Sequence, residues 1–154
     1  MQIETILRPE MCFARLPGVS KKRFLTTISE LIAERQASLS ADAVYNALLA
    51  REQLGSTAIG KGIAIPHCRV ETCDRITGAL VTLDEGIDFD ANDSRAVDLL
   101  FVLIVPVEET DEHLRVLGRL AELFHQDAFC QALRDADSER ALYEAATSFE
   151  AESS

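Results

Sequence analysis

Apolar positions recur at helical spacing in some stretches of the chain, and alternate or run unbroken in others. That rhythm divides it into helices and strands. After Ser20, which reads as an N-cap, Phe24, Leu25, Ile28, Leu31 and Ile32 line one helical face to about Arg35. Ser40 caps a second helix, with Val44, Ala47, Leu48 and Leu54 expected inward and Asp42 in the first turn, where the helix dipole favours it. Gly55 ends that helix, so Arg51 falls in its last turn. A long helix starting at Thr110 or Asp111 carries His113, Val116, Leu117, Leu120, Leu123 and Phe124 on one side, and Glu112 and Glu122 on the other. A short helix over 128–134 and a last one from Asp137 or Ser138 to about Phe149 leave 151–154 as a tail expected to fray.

The strand signals are shorter. Residues 12–16, between Pro9 and Pro17, read as an edge strand; 63–65 (Ile-Ala-Ile) and 76–83 read as two more. Residues 97–105 form the most apolar segment and predict a central strand buried on both faces, which requires helices on both sides of a sheet. Residues 86–94, with Asn92-Asp93, read as a polar connection, and Pro106 ends the central strand. The pattern predicts an α/β sandwich of helices around a sheet.

Composition narrows the class. At 154 residues with 47% hydrophobic content, the chain fits a single domain over 1–154. No basic-then-apolar leader opens it, and its longest apolar run, 99–107, is too short to cross a bilayer, so a cytoplasmic location without membrane insertion is expected. Cys12, Cys68, Cys73 and Cys130 show no CxxC pair and read as free thiols. The net charge of -11 repels phosphate backbones and argues against nucleic acid as a partner. Through Arg75, ten basic residues accompany eight acidic ones; from Ile76 on, five accompany eighteen, leaving the first half better suited to an anion.

The candidate chemistry gathers in residues 55–67, GSTAIGKGIAIPH. Pro66 fixes its own φ and biases Ile65 towards extended geometry, which stiffens the backbone around His67. Gly60 and Gly62 lack a Cβ, and the turn they form is expected to bring backbone amides close to a ligand at His67. Residues 55–61 match G-x-x-x-x-G-K, yet Gly62 stands where a nucleotide loop needs a hydroxyl, and a strand follows where a helix should open; nucleotide binding is rejected. His67, Cys68, Cys73 and His113 are able metal ligands, but C-x4-C beside a histidine matches no common zinc spacing, and no metal or cofactor is expected. His113 sits in a helix first turn facing inward, where a neutral imidazole donates one hydrogen bond to an anion. His125, at the other end of that helix, reads as a surface partner of the C-terminal dipole. Arg51, His67 and His113 thus make a constellation for phosphate: a nitrogen nucleophile, a permanent planar cation and a neutral donor. With no Ser-His-Asp set or paired carboxylates, it suits a carrier better than a hydrolase.

At these residues the chain resembles the enzyme IIA family of the bacterial phosphoenolpyruvate phosphotransferase system, in its mannitol/fructose class and nitrogen-regulatory branch. The matching stretches are REQLGSTAIGKGIAIPH (51–67), VDLLFVLIVP (97–106) and TDEHLRVLGRLAELF (110–124), with SKKRFLTTISELI near the N-terminus. The resemblance implies a three-layer α/β/α sandwich with a mixed central sheet. It implies that His67 is phosphorylated by a histidine-phosphocarrier protein, with His113 as second active-site histidine and Arg51 as phosphate-contacting arginine. Ser56 and Thr57 match a hydroxyl pair of the same loop. Cys68 departs from the pattern, since many relatives carry glycine there, and it sets a thiol beside the ring. The branch regulates other proteins, such as potassium transporters and sensor kinases, through its phosphorylation state. The chain is accordingly read as a phosphotransferase-system component, not a free-standing enzyme on a small substrate. Two alternatives stay open: a sugar-specific enzyme IIA serving a permease component, and a module that senses an anion or metal without covalent chemistry.

Overall fold

The structure is a computed structural model that describes residues 2–108 and 111–153, residue 153 through its backbone alone. A 3-10 turn (Ile3–Thr5) leads into strand β1 (Leu7–Leu16), helix α1 (Lys21–Arg35) and helix α2 (Ala41–Gln53). Three short strands follow, β2 (Ala58–Gly60), β3 (Ile63–Ala64) and β4 (His67–Val70), then the long β5 (Thr77–Ile87) and β6 (Val97–Pro106). Helices α3 (Asp111–Phe124), α4 (Asp127–Asp135) and α5 (Glu139–Ser153) complete the chain. Among the described residues the strands form a six-stranded sheet in the order β1-β5-β6-β3-β2, with β4 also paired to β6.

The sheet is mixed. β1 runs parallel to β5, β5 antiparallel to β6, and β3 and β4 both lie parallel to β6, one after the other. From Leu99 to Val105 β6 is buried at every position, as a strand covered by helices on both faces must be. The architecture is the expected three-layer α/β/α sandwich, and its buried apolar side chains form one contiguous cluster.

Helix starts follow their caps. The Ser20 hydroxyl accepts from Arg23 N and the Ser40 hydroxyl from Ala43 N. Ser138 does the same for α5, accepting from Ala141 N at 3.1 Å. Thr110, the alternative start for α3, lies outside the described residues.

Several expectations need correction. β1 begins at Leu7, not Cys12; Pro9 is tolerated because β1 is an edge strand whose register slips between Leu7 and Cys12. Leu54 was expected inward but is 85% exposed, because the helix stops at Gln53 and Leu54 caps it, its N–H donating to the Arg51 carbonyl while Gly55 N donates to that of Glu52. Residues 86–87 belong to β5, and Phe89 in the "polar" connection is fully buried. The tail expected to fray continues helical to Ser153. Glu150 anchors it: its carboxylate is 1% exposed and accepts from Ile3 N at 2.7 Å and Arg119 Nε at 3.0 Å.

Candidate functional site

The sheet reaches the site through an interruption. Beside β6, β3 pairs Ala64 with Leu100 and β4 resumes at His67 opposite Leu103. Ile65 and Pro66 fill the gap; Pro66 has no N–H to give, but its carbonyl accepts from Leu103 N at 2.9 Å. At this break the His67 ring folds back so that Nδ1 lies 2.7 Å from the Ile65 carbonyl. A carbonyl only accepts, so Nδ1 carries the proton and the Nε2 lone pair is left for chemistry.

His67 is half-buried in a cavity of about 550 Å³ lined by Ala47, Ala50, Arg51, Leu54, Cys68, Arg69 and His113. Its pKa lies below the ordinary imidazole value, because burial disfavours the cation and the Arg51 charge adds to this; the Ile65 bond and the Glu52 charge oppose it in part. The ring is therefore neutral at pH 7 with a nucleophilic Nε2. The His113 ring, from the first turn of α3, stands with its centroid 5.8 Å from that of His67. Arg51 enters from the last turn of α2, steadied by donation from Nη1 to the Gly55 carbonyl at 2.8 Å. The three residues singled out in the sequence thus meet at one cavity.

Other expectations do not hold in space. The glycine turn at 60–62 faces the far end of the sheet. Its Gly62 carbonyl accepts from Asp98 N and Leu99 N, five residues of β6 before the level of His67, roughly 15 Å away. Lys61 N donates to Asp93 Oδ2 and the Lys61 carbonyl accepts from Arg134 Nη2, both at 2.9 Å, so the turn serves a salt-bridged corner and offers no amides to His67. The hydroxyls of Ser56 and Thr57 are also engaged elsewhere. Ser56 donates to the Phe89 carbonyl at 2.5 Å and Thr57 to the Glu52 carboxylate, and neither residue lines the cavity. Cys68 does line it, but burial pushes its thiol up to about 12, which leaves almost no reactive thiolate. Cys73 donates to the Arg75 and Ile104 carbonyls, and His125 lies exposed just past α3.

Two residues escaped the sequence reading. Arg69 stands two positions after His67 on β4, hence on the same face. Its Nη1 donates to the Val107 carbonyl at 2.9 Å and its Nη2 lies 3.4 Å from His113 Nδ1. A guanidinium only donates, so Nδ1 of His113 accepts and its proton sits on Nε2. Glu52 follows Arg51 and shares the buried face of α2 with Val44 and Leu48 at i, i+4, i+8 spacing. An acid on an apolar stripe was the available signal.

Comparison with known proteins identifies what the chain is similar to. Residues 5–148 match the family model described as phosphoenolpyruvate-dependent sugar phosphotransferase system, EIIA 2. The chain is 43% identical over 144 residues to a nitrogen regulatory protein of Pseudomonas aeruginosa, covering 94% of each. It is 33% identical over 141 residues to a fructose-specific EIIA component of Haloferax volcanii, covering 91% of each. Among solved structures it is similar to the nitrogen regulatory protein IIA-Ntr of Neisseria meningitidis, with a TM-score of 0.87, 39% identity, and coverage of 94% of this chain and 99% of that one.

Proposed function

The chain belongs to the phosphoenolpyruvate-dependent sugar phosphotransferase system EIIA 2 family, in its nitrogen-regulatory branch, and from that premise we propose that it is a cytoplasmic phosphoryl carrier whose acceptor is Nε2 of His67. The observation that carries this reading is the 2.7 Å contact from His67 Nδ1 to the Ile65 carbonyl, which leaves Nε2 unprotonated inside a cavity shared with Arg51 and His113.

A phosphohistidine on the donor, a histidine-phosphocarrier protein, presents its phosphoryl group in line with Nε2. The new N–P bond forms at His67 as the donor's N–P bond breaks, and the donor imidazole leaves with that electron pair. The attacking ring takes on positive charge, which the Ile65 carbonyl stabilises through Nδ1–H. Arg51 and the Nε2–H of His113 meet the negative charge spread over the phosphoryl oxygens. The modified site then carries up to two further negative charges, which changes the partners that dock there. Regulated proteins such as potassium transporters or sensor kinases fit that output.

Incubation with phosphoenolpyruvate, enzyme I and a histidine-phosphocarrier protein tests the reading by intact mass. Wild type should gain one acid-labile phosphoryl group and His67→Ala none, while His113→Ala is still labelled but about 10²-fold more slowly, the cost of one transition-state donor. Label that persists in His67→Ala would overturn the assignment.

The relative in Haloferax volcanii supports a second reading, service to a sugar permease. Phosphoryl transfer from the labelled protein to a purified fructose-type IIB component would decide for it.

A further inference from the structure

The His67 ring is held by one carbonyl, and that carbonyl is itself held. Ile65 N donates to the Thr57 carbonyl at 3.1 Å, and Pro66 restricts Ile65 to extended geometry, so fixing the peptide before Ile65 aims the carbonyl after it. Thr57 in turn is gripped by a single carboxylate. Its N–H donates to Glu52 Oε1 at 3.2 Å and its hydroxyl donates to Glu52 Oε2. Glu52 is 7% exposed and is balanced by Lys21, whose Nζ lies 3.0 Å from Oε1, 3.2 Å from Asp90 and 4.6 Å from the Phe89 ring centre. The adjacent Ser56 hydroxyl clamps the same loop to the Phe89 carbonyl and accepts from Ala58 N at 3.1 Å.

We infer that Glu52 is a positioning residue for His67: through Thr57 and Ile65 it fixes the ring tautomer that leaves Nε2 unprotonated. A buried carboxylate is costly to desolvate, and a neutral side chain suffices to cap a helix end. A charged acceptor has a specific use here, because it binds the N–H and O–H of one residue at once. It also places a negative charge near a ring whose other charged or titratable neighbours among the described residues include Arg51 from α2, Cys68 and Arg69 from β4 and His113 from α3. The inference rests on His67 as acceptor only for its rate readout; the tautomer readout does not need phosphorylation.

The test uses protein with ¹⁵N-labelled histidine and follows the ring nitrogens of His67 by NMR in the free state, alongside phosphoryl acceptance and melting. Wild type should show the Nδ1–H tautomer. Thr57→Val and Glu52→Gln, still folded, should gain a measurable Nε2–H population and accept phosphate about tenfold or more slowly, since a wrong tautomer disables a catalytic imidazole. Thr57→Ser, which keeps the hydroxyl, should restore both. If Glu52→Gln fails to fold, Thr57→Val alone decides. Folded variants with wild-type tautomer and rate would overturn the inference. A tautomer shift in variants of a protein that never accepts phosphate would sink the carrier reading and leave the positioning role standing.

Discussion

The protonation of a single ring decides what the site does. His67 has its pKa lowered chiefly by burial, then by Arg51. The unfolded chain therefore binds its proton first as pH falls, so His67 contributes stability above about pH 6.5 that is lost as pH drops through the lower folded value. Urea unfolding between pH 7.5 and 5 should show stability falling, with a shallower fall in His67→Asn; parallel slopes would assign the loss to other groups. Phosphoryl acceptance should decline over the same range as Nε2 is protonated. Arg69 and Glu52 belong to this scale too. Neither takes up the phosphoryl group, yet each bears on which nitrogen of a histidine carries hydrogen.

At the scale of elements, what the sequence revealed and what it hid have physical causes. Helices α1, α2 and α3 were legible because capping residues and a 3.6-residue period are local signals, read without knowing the partner. Two of the signals were masked by proline: Pro9 concealed the start of β1, and Pro66 closed the expected strand at Ile65 and hid β4, which begins at His67; β2, three residues long, was too short to show an alternation. Arg51, His67 and His113 were legible as a set by chemistry and resemblance. The glycine turn was misjudged because conformational freedom in a glycine says nothing about which neighbour uses it. Gly78 is a cleaner case. A Cβ there would lie 2.7 Å from the Phe101 ring, across the pairing of β5 with β6. Gly78→Ala should cost about 1–3 kcal/mol in chemical denaturation, as overpacking does; no loss would mean that the ring moves aside freely.

For the whole molecule, the ends of the chain hold each other. Glu150 accepts from the backbone of Ile3 and from Arg119, joining the N-terminal turn, α3 and the last turns of α5. Glu150→Ala strands the buried Ile3 N–H and leaves Arg119, its side chain 20% exposed, with Glu122 at 3.6 Å as an ion-pair partner, and should cost about 1–3 kcal/mol, seen as a lower denaturation midpoint. An unchanged midpoint would show that water replaces the carboxylate. The charge asymmetry of the sequence has its place here as well. The acidic later half supplies α3, α4 and α5, while Arg51, His67 and Arg69 come from the first half.

That joining of the ends sets an order in time. Ile3 and Glu150 are 147 residues apart, so a ribosome adding 5–20 residues per second separates their appearance by roughly 7–30 s. Through that interval β1 emerges without β5, its parallel partner some seventy positions on, and without the helix that later covers it. β1 is thus made early and completed late: it waits for β5 to pair with it, and the face that α5 covers stays open until that helix follows.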